Sequence, residues 1–255
     1  MQAPDVDVIL ERLRHYIPEH PQESLSSSLR ALPTAAVLVG LFYCETTHSV
    51  RVLLTKRAVD MRSHGGEVAF PGGKRDDTDR DAAHTALREA EEEVGLPQTW
   101  PQVIKAMAPF VSKNLLLVTP VVAWLGNRSQ LPRLTPNPRE VSVIFDAPFD
   151  MFALGLHHSF MDISFRSVPF RIHFFDYPID ALSLLATSDK VDPTLTSSAN
   201  IFGLTALVLI VASKVAYEHT PSFSLMPPGG LLPTQLELDG DRFVLPATHQ
   251  PSSRL

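Results

Sequence analysis

The sequence predicts an α/β protein with one main domain, and three observations support that class. Two β-rich runs, residues 35–44 and 50–57, precede a glycine-rich connection at residues 63–73. A strongly helical stretch follows the connection, and further runs of β-branched and aromatic residues come after that helix. The chain has 255 residues with neither an internal repeat nor a long linker, so one substantial core is expected.

The elements are expected in a definite order along the chain. Residues 1–18 have the pattern of a short amphipathic helix, residues 35–57 that of a hairpin, and residues 82–94 that of a helix ending before Gly95. Later elements are strands at residues 103–111, 115–125, 140–145 and 170–175, and a buried helix at residues 201–217. The predicted organisation is an N-terminal helical extension at 1–30, a main domain at 31–218 and a largely unpacked tail, rich in Pro and Ser, at 219–255.

Composition argues against several classes of function. The formal net charge of -6 disfavours a protein that binds nucleic acid through a basic surface. Cys44 is the only cysteine, which excludes an intramolecular disulfide and fits a reducing compartment. The start of the chain does not resemble a signal peptide, and the most apolar stretch, residues 204–212, falls short of the roughly 20 residues that cross a bilayer.

The predicted helix at residues 82–94 carries an acidic edge. On a helical wheel its small and aliphatic side chains form one stripe, while Glu89, Glu92 and Glu93 fall on another arc about 120° away. Like charges three and four residues apart repel one another, and a divalent cation would turn that cost into binding energy. The alternative interpretation is a solvated acidic face, which is the commoner one for such a helix considered alone.

The residues around this helix resemble the Nudix box, G-x5-E-x7-R-E-U-x-E-E-x-G-U, in which U is an aliphatic residue. The matching run is GKRDDTDRDAAHTALREAEEEVGL, from Gly73 to Leu96. Asp79 stands where the box has Glu, and eight residues rather than seven separate Asp79 from Arg88. This altered spacing resembles the coenzyme A pyrophosphatase branch of the family.

A second motif supports the same branch. Residues 53–73 read LLTKRAVDMRSHGGEVAFPGG and match the pattern L-L-T-x-R-(S/A)-x3-R-x3-G-x3-F-P-G-G at every specified position. The resemblance implies a Nudix α/β/α sandwich with a central mixed β-sheet. It also implies hydrolysis of the pyrophosphate bond of coenzyme A or acyl-coenzyme A, giving 3′,5′-ADP and (acyl-)4′-phosphopantetheine.

The resemblance further implies a set of site residues. Glu89, Glu92 and Glu93 are expected to ligate Mg²⁺ or Mn²⁺, and one of them, such as Glu92, to accept the proton of the attacking water. Arg88 is expected to orient these glutamates, because a guanidinium fork suits carboxylate pairs. The expected substrate-binding residues are Arg57, Arg62, Gly72, Gly73 and Lys74, the basic ones by contact with phosphates and the glycines by close backbone approach.

Several assignments stay open at the level of sequence. Lys74 and Arg75 are weaker candidates for phosphate contacts than the two motif arginines. Glu140 could add a base or a metal ligand, whereas His64 is more simply interpreted as a polar spacer. Residues 152–170 could form a lid or line a channel, although core packing is the commoner role for their aromatic side chains. The oligomeric state is not predicted.

The last three residues, Ser253-Arg254-Leu255, are a conservative variant of the Ser-Lys-Leu peroxisomal signal. They predict recognition by a peroxisomal import receptor, and a cytoplasmic location is the alternative. Two other functions compete with the coenzyme A assignment: a Nudix hydrolase for another nucleoside diphosphate such as NADH or ADP-ribose, and a catalytically silent Nudix-fold binding module. The second motif disfavours the former, and the three retained glutamates disfavour the latter.

Overall fold

The computed structural model describes residues 4–18, 25–60, 65–165, 168–188, 197–232, 235, 237–239 and 242–244. The helices are α1 (Val6–Arg14), α2 (Ser27–Arg30), α3 (Ala82–Val94), α4 (Met151–Leu154) and α5 (Gly203–Tyr217). The strands are β1 (Thr34–Cys44), β2 (Ser49–Arg57), β3 (Val68–Ala69), β4 (Gly72–Lys74), β5 (Gln102–Ala106), β6 (Phe110–Val111), β7 (Leu117–Asn127), β8 (Val141–Pro148), β9 (His158–Phe165), β10 (Val168–Pro178), β11 (Leu184–Thr187), β12 (Ser198–Phe202), β13 (Glu237–Asp239) and β14 (Arg242–Val244).

A mixed sheet forms the centre of the described part of the chain. Its main path runs β11-β8-β2-β1-β7-β5, with β3 beside β2, β4 beside β1 and β6 beside β7. β1 and β7 are parallel, whereas β1 and β2 form the predicted antiparallel hairpin, with Leu41 opposite Val52. A smaller sheet has the order β12-β10-β9, and β13 pairs with β14.

The two faces of the central sheet are covered by different helices. Along β1, Leu38 and Phe42 pack with the apolar stripe of α3, whereas Val39 and Leu41 pack in the cluster that contains α1 and α5. This division follows from the alternation of side chains along a strand. The predicted α/β/α sandwich around a central mixed sheet is therefore confirmed.

The acidic helix has the predicted bounds because both ends carry strong signals. Asp81 caps the start of α3 by accepting a hydrogen bond from the N–H of His84 at 2.8 Å. Gly95 ends α3 in the left-handed region with φ 69°. The buried residues of α3 include Ala86, Ala90 and Val94, which belong to the predicted stripe.

Some predictions of elements differ from the structure, and some elements were not predicted at all. The strand expected at residues 103–111 is two strands, β5 and β6, because Pro109 between them has no N–H to donate. The second helix begins at Gly203 rather than at residue 201, since residues 201 and 202 complete β12. Strands β3, β4, β9, β11, β12, β13 and β14 and the short helix α4 were not predicted.

The expectation of a largely unpacked tail is wrong for the described residues beyond α5. The ring of Phe223 stacks on His158 with 3.7 Å between centroids, and Phe243 is only 3% exposed. His173 Nε2 lies 3.0 Å from the carbonyl oxygen of Leu225, which fastens the same segment to β10. Large apolar side chains between the prolines provide enough apolar surface to dock this segment.

Some predictions fall on residues outside the described ranges. These are the phosphate candidate Arg62, the loop residue His64 and the C-terminal Ser253-Arg254-Leu255. The domain boundaries at residues 30 and 218 also stay predictions. No helix within the described ranges is long and apolar enough to cross a membrane.

A buried ionic network lies near the end of β8. The carboxylate of Asp146, which is fully buried, accepts hydrogen bonds from Arg51 and Arg128. Arg51 also donates to the hydroxyl of Tyr177 at 2.8 Å. Because charges are costly to remove from water, each guanidinium depends on this carboxylate.

Replacing Asp146 should therefore destabilise the fold strongly. We expect Asp146→Asn to lower the free energy of unfolding by about 3–5 kcal/mol, because it leaves the buried guanidinium of Arg51 and the partly buried guanidinium of Arg128 without their counter-charge. Urea unfolding monitored by circular dichroism measures the change. Asp77→Asn is the control, since Asp77 is exposed and should shift stability by no more than about 0.5 kcal/mol. Similar unfolding midpoints for the two variants would contradict the assignment.

Candidate active site

A glycine bend forms one wall of the site. Gly72 and Gly73 lie on β4, where Gly72 pairs with Val37 and Gly73 with Ala36 of β1. A Cβ atom on Gly72 would lie 2.5 Å from the carbonyl oxygen of Ala36 and 2.7 Å from the Cα of Val37. Only glycine fits this approach of two backbones.

Glu93 faces this bend from the last turn of α3. Its carboxylate accepts a hydrogen bond from the N–H of Gly72 at 3.1 Å and lies 3.4 Å from Nη1 of Arg57. The residue is only 3% exposed, and this burial raises the pKa of Glu93 to about 7. The Gly72 N–H and the Arg57 charge oppose the shift, while the charges of Glu140 and Glu89 add to it.

Glu89 lies one helical turn earlier on the same side of α3. Its carboxylate carbon would be 2.5 Å from a Cβ on Gly73, so it fills the space that the glycine leaves open. Burial raises the pKa of Glu89, although the neighbouring Arg88 charge opposes this shift. Two partly desolvated carboxylates, Glu89 and Glu93, thus converge on the bend.

Glu92 does not join them in this arrangement. Its side chain is 55% exposed, and its carboxylate binds Nη1 of Arg88 at 3.2 Å. Arg88 precedes Glu92 by four residues on α3, a spacing that favours an ion pair between the two side chains. This ion pair holds the carboxylate of Glu92 away from the bend. Within the described ranges, no three Asp, Glu, His or Cys side chains are grouped closely enough to hold a metal ion. The ligand role of all three glutamates stays a prediction.

Arg88 and Asp79 form a separate pair behind the carboxylates. Arg88 donates through Nε at 3.1 Å and through Nη2 at 2.9 Å to the two oxygens of Asp79. Asp79 is 3% exposed, and its bonds with Arg88 hold its pKa well below the usual range. Nη1 of Arg88 reaches Glu89 at 3.1 Å as well as Glu92. Arg88 therefore lies where it can orient the glutamates, as expected for a guanidinium fork.

The predicted substrate-binding residues are only partly brought together. Arg57 lies beside Glu93, and its buried Nε has no hydrogen-bond partner among the described residues. Lys74 is exposed at the end of β4, while its carbonyl oxygen accepts a bond from Arg88 at 3.2 Å. Arg75 turns away and binds the carbonyl oxygens of Asp79 and Arg80.

Glu140 lies near the glutamates of α3, although the sequence offered only weak grounds for placing it there. It is the residue immediately before β8, whose Val141 pairs with Arg57 of β2. The Glu140 carbonyl accepts a bond from the N–H of Ala58 at 2.9 Å, and the Glu140 charge acts on both Glu89 and Glu93. The pairing of β2 with β8 brings Glu140 close to the glutamates of α3. No local sequence pattern near residue 140 predicts that pairing.

An α/β/α sandwich in which an acidic helix brings carboxylates to a glycine bend is what a Nudix domain requires. The NUDIX domain model matches residues 33–150, a range that contains β1, the bend and α3. Several Nudix hydrolases that are 33% to 41% identical to the chain also align with it over 67% to 79% of their own length. The chain belongs to the Nudix hydrolase family.

Three relatives illustrate the similarity. The chain is 40% identical to Nudix hydrolase 15, mitochondrial, of Arabidopsis thaliana over 189 residues, covering 74% of this chain and 60% of that protein. It is 40% identical to the Nudix hydrolase NudL of Photorhabdus laumondii, covering 62% of this chain and 79% of that protein. It is 33% identical to the mouse peroxisomal coenzyme A diphosphatase, covering 68% of this chain and 67% of that protein.

The chain spans about three-fifths of the length of the two plant relatives it matches, which are described as mitochondrial and chloroplastic. Nudix hydrolases generally use divalent metal ions such as Mg²⁺ or Mn²⁺. The residues present fit such an ion, because the partly buried Glu89 and the buried Glu93 offer carboxylate oxygens beside a bend that carries no side chain.

The raised pKa of Glu93 gives the metal-free protein a characteristic pH dependence. Below pH 4.5 Glu93 is protonated in both the folded and unfolded states, whereas above pH 7 its charge is buried on folding. Stability should fall as pH rises through this window, with Glu93 contributing at most about 3 kcal/mol at about 1.4 kcal/mol per pKa unit. Glu93→Gln should lose less stability over that range than the wild type.

Chemical denaturation in EDTA at pH 5 and pH 8 measures this difference. The matched control is Glu91→Gln, because Glu91 belongs to the same acidic run but is exposed and bonds Gln98. Its pH dependence should equal that of the wild type. An unchanged pH dependence in Glu93→Gln would show that burial of this carboxyl is not costly.

Proposed function

We propose that the chain hydrolyses the pyrophosphate bond of coenzyme A and acyl-coenzyme A, releasing 3′,5′-ADP and (acyl-)4′-phosphopantetheine. The observation that carries the proposal is the contact between Arg57, from the coenzyme A motif, and Glu93, from the Nudix box. The two motifs meet again where the N–H of Gly72 binds the Glu93 carboxylate. The mouse relative named as a coenzyme A diphosphatase supports the same substrate.

Glu89 and Glu93, with Glu92 beside them, would hold Mg²⁺ or Mn²⁺, because hard cations prefer carboxylate oxygens. When bound, the ion supplies positive charge for the diphosphate oxygens and lowers the pKa of the attacking water. A carboxylate of this group accepts the proton of that water, and Glu92 and the half-buried Glu140 are more accessible than Glu93.

The remaining residues bind and orient the substrate. Gly72 and Gly73 present backbone without side chains beside the carboxylates, and this backbone is the proposed contact of the diphosphate. The Cβ position of Gly73 is already taken by the carboxylate of Glu89, which is thereby held at the bend. Arg57 still has an unused donor at Nε, which suits a phosphate oxygen. Lys74 and Arg62 complete the proposed phosphate contacts, Lys74 from its exposed position and Arg62 on the strength of the motif.

Arg88 acts on the substrate through the glutamates rather than by touching it. Its guanidinium donates hydrogen bonds to Asp79, and its Nη1 contacts the carboxylates of both Glu89 and Glu92. We therefore assign Arg88 as a positioning residue within the catalytic set. Its fork fixes the direction in which the carboxylates point.

Product analysis with purified protein tests the substrate. With Mg²⁺ or Mn²⁺ we expect 3′,5′-ADP from coenzyme A, whereas selective turnover of NADH or ADP-ribose would contradict the assignment. Glu93→Gln should lower kcat by about 10² or more, because a neutral amide neither binds a cation strongly nor accepts a proton. Glu91→Gln should retain activity, since that side chain points to solvent and bonds Gln98.

Each outcome of this assay has a distinct meaning. Turnover of coenzyme A with an active Glu93→Gln variant would overturn the proposed ligand set. A protein that binds nucleotides but turns over none of the three substrates with either metal would be a silent binding module. A well-folded Glu93→Gln variant, checked by circular dichroism, keeps the comparison valid.

We also propose that the chain is peroxisomal and is recognised by an import receptor through Ser253-Arg254-Leu255. The mouse relative is named as peroxisomal, whereas the two plant relatives are named as mitochondrial and chloroplastic. A fluorescent protein fused to the N-terminus leaves the tripeptide free. We expect punctate fluorescence that overlaps a peroxisomal marker and becomes diffuse when residues 253–255 are deleted. Overlap with mitochondria, or no change on deletion, would contradict the proposal.

A further inference from the structure

A cavity of about 570 Å³ lies beside β11 and the segment that follows β7. Its wall is formed by Leu185, Ala186 and Thr187 on one side and by residues 131–136 on the other. This volume falls in the range of pockets that hold small ligands. The cavity does not include Glu89, Glu93 or the glycine bend, so the site described above does not account for it.

The lining of the cavity combines aliphatic side chains with polar and positively charged groups. Among the described residues that line it are two arginines, Arg128 and Arg133, and no carboxylate. Arg128 is held in place by the buried carboxylate of Asp146, which Arg51 also contacts. Arg133 is exposed and forms no ion pair with any described residue. The guanidiniums of Arg128 and Arg133 can both donate hydrogen bonds to an anion in the cavity. Phosphate is an anion whose geometry matches the arginine fork well.

The walls indicate what this anion would be attached to. Leu131, Leu134 and Leu185 offer apolar surface, and Thr187 adds a hydroxyl group. Aliphatic side chains are suitable neighbours for the face of a heterocyclic base, and arginines are suitable partners for the phosphate of its ribose. The lining therefore matches a phosphorylated nucleoside better than a free inorganic ion.

The central sheet places the cavity near the residues that surround the carboxylates. In β8, Val141 pairs with Arg57 of β2, and Val143 pairs with Thr187 of β11. Thr187 is thus two strand spacings and two residues from Arg57, or about 12 Å away. The other wall is tied to α3 directly, because the N–H of Thr135 bonds the carbonyl of Val94 at 2.9 Å.

We propose that this cavity is a subsite for the 3′-phosphorylated nucleoside end of the substrate, with Arg133 as its phosphate contact. The inference rests on the proposed function, in which the diphosphate lies at Glu93. Arg57 lies against Glu93, where its unused Nε suits the diphosphate, so the 3′-phosphate at the other end of the nucleoside is assigned a different partner.

Coenzyme A and 3′-dephospho-coenzyme A separate this subsite from the rest of the site, because they differ only in that phosphate. For Arg133→Gln we expect KM for coenzyme A to rise about tenfold, as for loss of one charge-assisted hydrogen bond, with kcat unchanged. KM for the dephospho compound should not change. Arg139→Gln is the matched control, since Arg139 is exposed on the same connection but does not line the cavity. Its effect should be equal for both compounds.

An equal rise of KM for both compounds, or no rise for either, would overturn the subsite. Calorimetry without metal tests it independently of turnover. Adenosine 3′,5′-bisphosphate should bind the wild type more tightly than adenosine 5′-monophosphate, and Arg133→Gln should remove that difference. Inhibition by the bisphosphate that is not competitive with coenzyme A would indicate a separate regulatory site and overturn the proposal. Failure of the proposed function would instead appear as wild-type protein that turns over neither coenzyme A compound.

Discussion

The contact between the buried carboxylate of Glu93 and the N–H of Gly72 is the constraint on which the site depends. It requires β4 to lie against β1, which only glycine at position 72 permits. It also requires the last turn of α3 to sit directly above that bend. The buried Ala86 and Ala90 allow α3 to approach the sheet closely, so the same small side chains that build the core also place the acid.

The departure from the Nudix box at Asp79 has a structural meaning. Asp79 is almost fully buried and accepts bonds from Arg88, from His84 and from the N–H of Asp76. Its oxygens are therefore occupied by the connection before α3 and by one guanidinium. An acid with these partners stabilises the start of the helix and fixes Arg88. The change from Glu to Asp, and the extra residue of spacing, leave the face carrying Glu89 and Glu93 intact.

Much of the fold could be predicted from sequence because its signals are local. The bounds of α3 follow from Asp81 and Gly95, and the hairpin of β1 and β2 follows from two β-rich runs around a polar turn. Strand β9 was not predicted although Met161, Ile163 and Phe165 alternate with Asp162 and Ser164, because this alternation covers only five residues and most of the side chains are exposed. The packed segment around Phe223 escaped because its prolines indicate a loop, whereas its docking depends on partners such as His158.

The site divides in the same way between local and distant causes. The shared edge of Glu89 and Glu93 is a property of helical periodicity and was predictable. The outward position of Glu92 depends on its ion pair with Arg88. The spacing of the two residues permits this pair but does not show that Glu92 prefers it to the bend. The contact of Arg57 with Glu93 and the approach of Glu140 depend on the pairing of β2 with β8. A sheet can pair its strands in several orders, so such contacts require the tertiary structure.

The connection from β7 to β8 runs from the cavity, which is lined by Arg128 and Arg133, to the end of α3, which carries the glutamates. A helix ends with carbonyl groups that lack partners, and here the N–H groups of Thr135 and Asn137 bond the carbonyls of Val94 and Glu93 at 2.9 Å each. The backbone that caps α3 is therefore also the backbone that forms one wall of the cavity and leads to Glu140. Because these bonds satisfy groups that would otherwise be buried without partners, displacing the connection would disturb the end of α3 as well. A ligand bound in the cavity would therefore contact the same backbone that ends α3 next to Glu93.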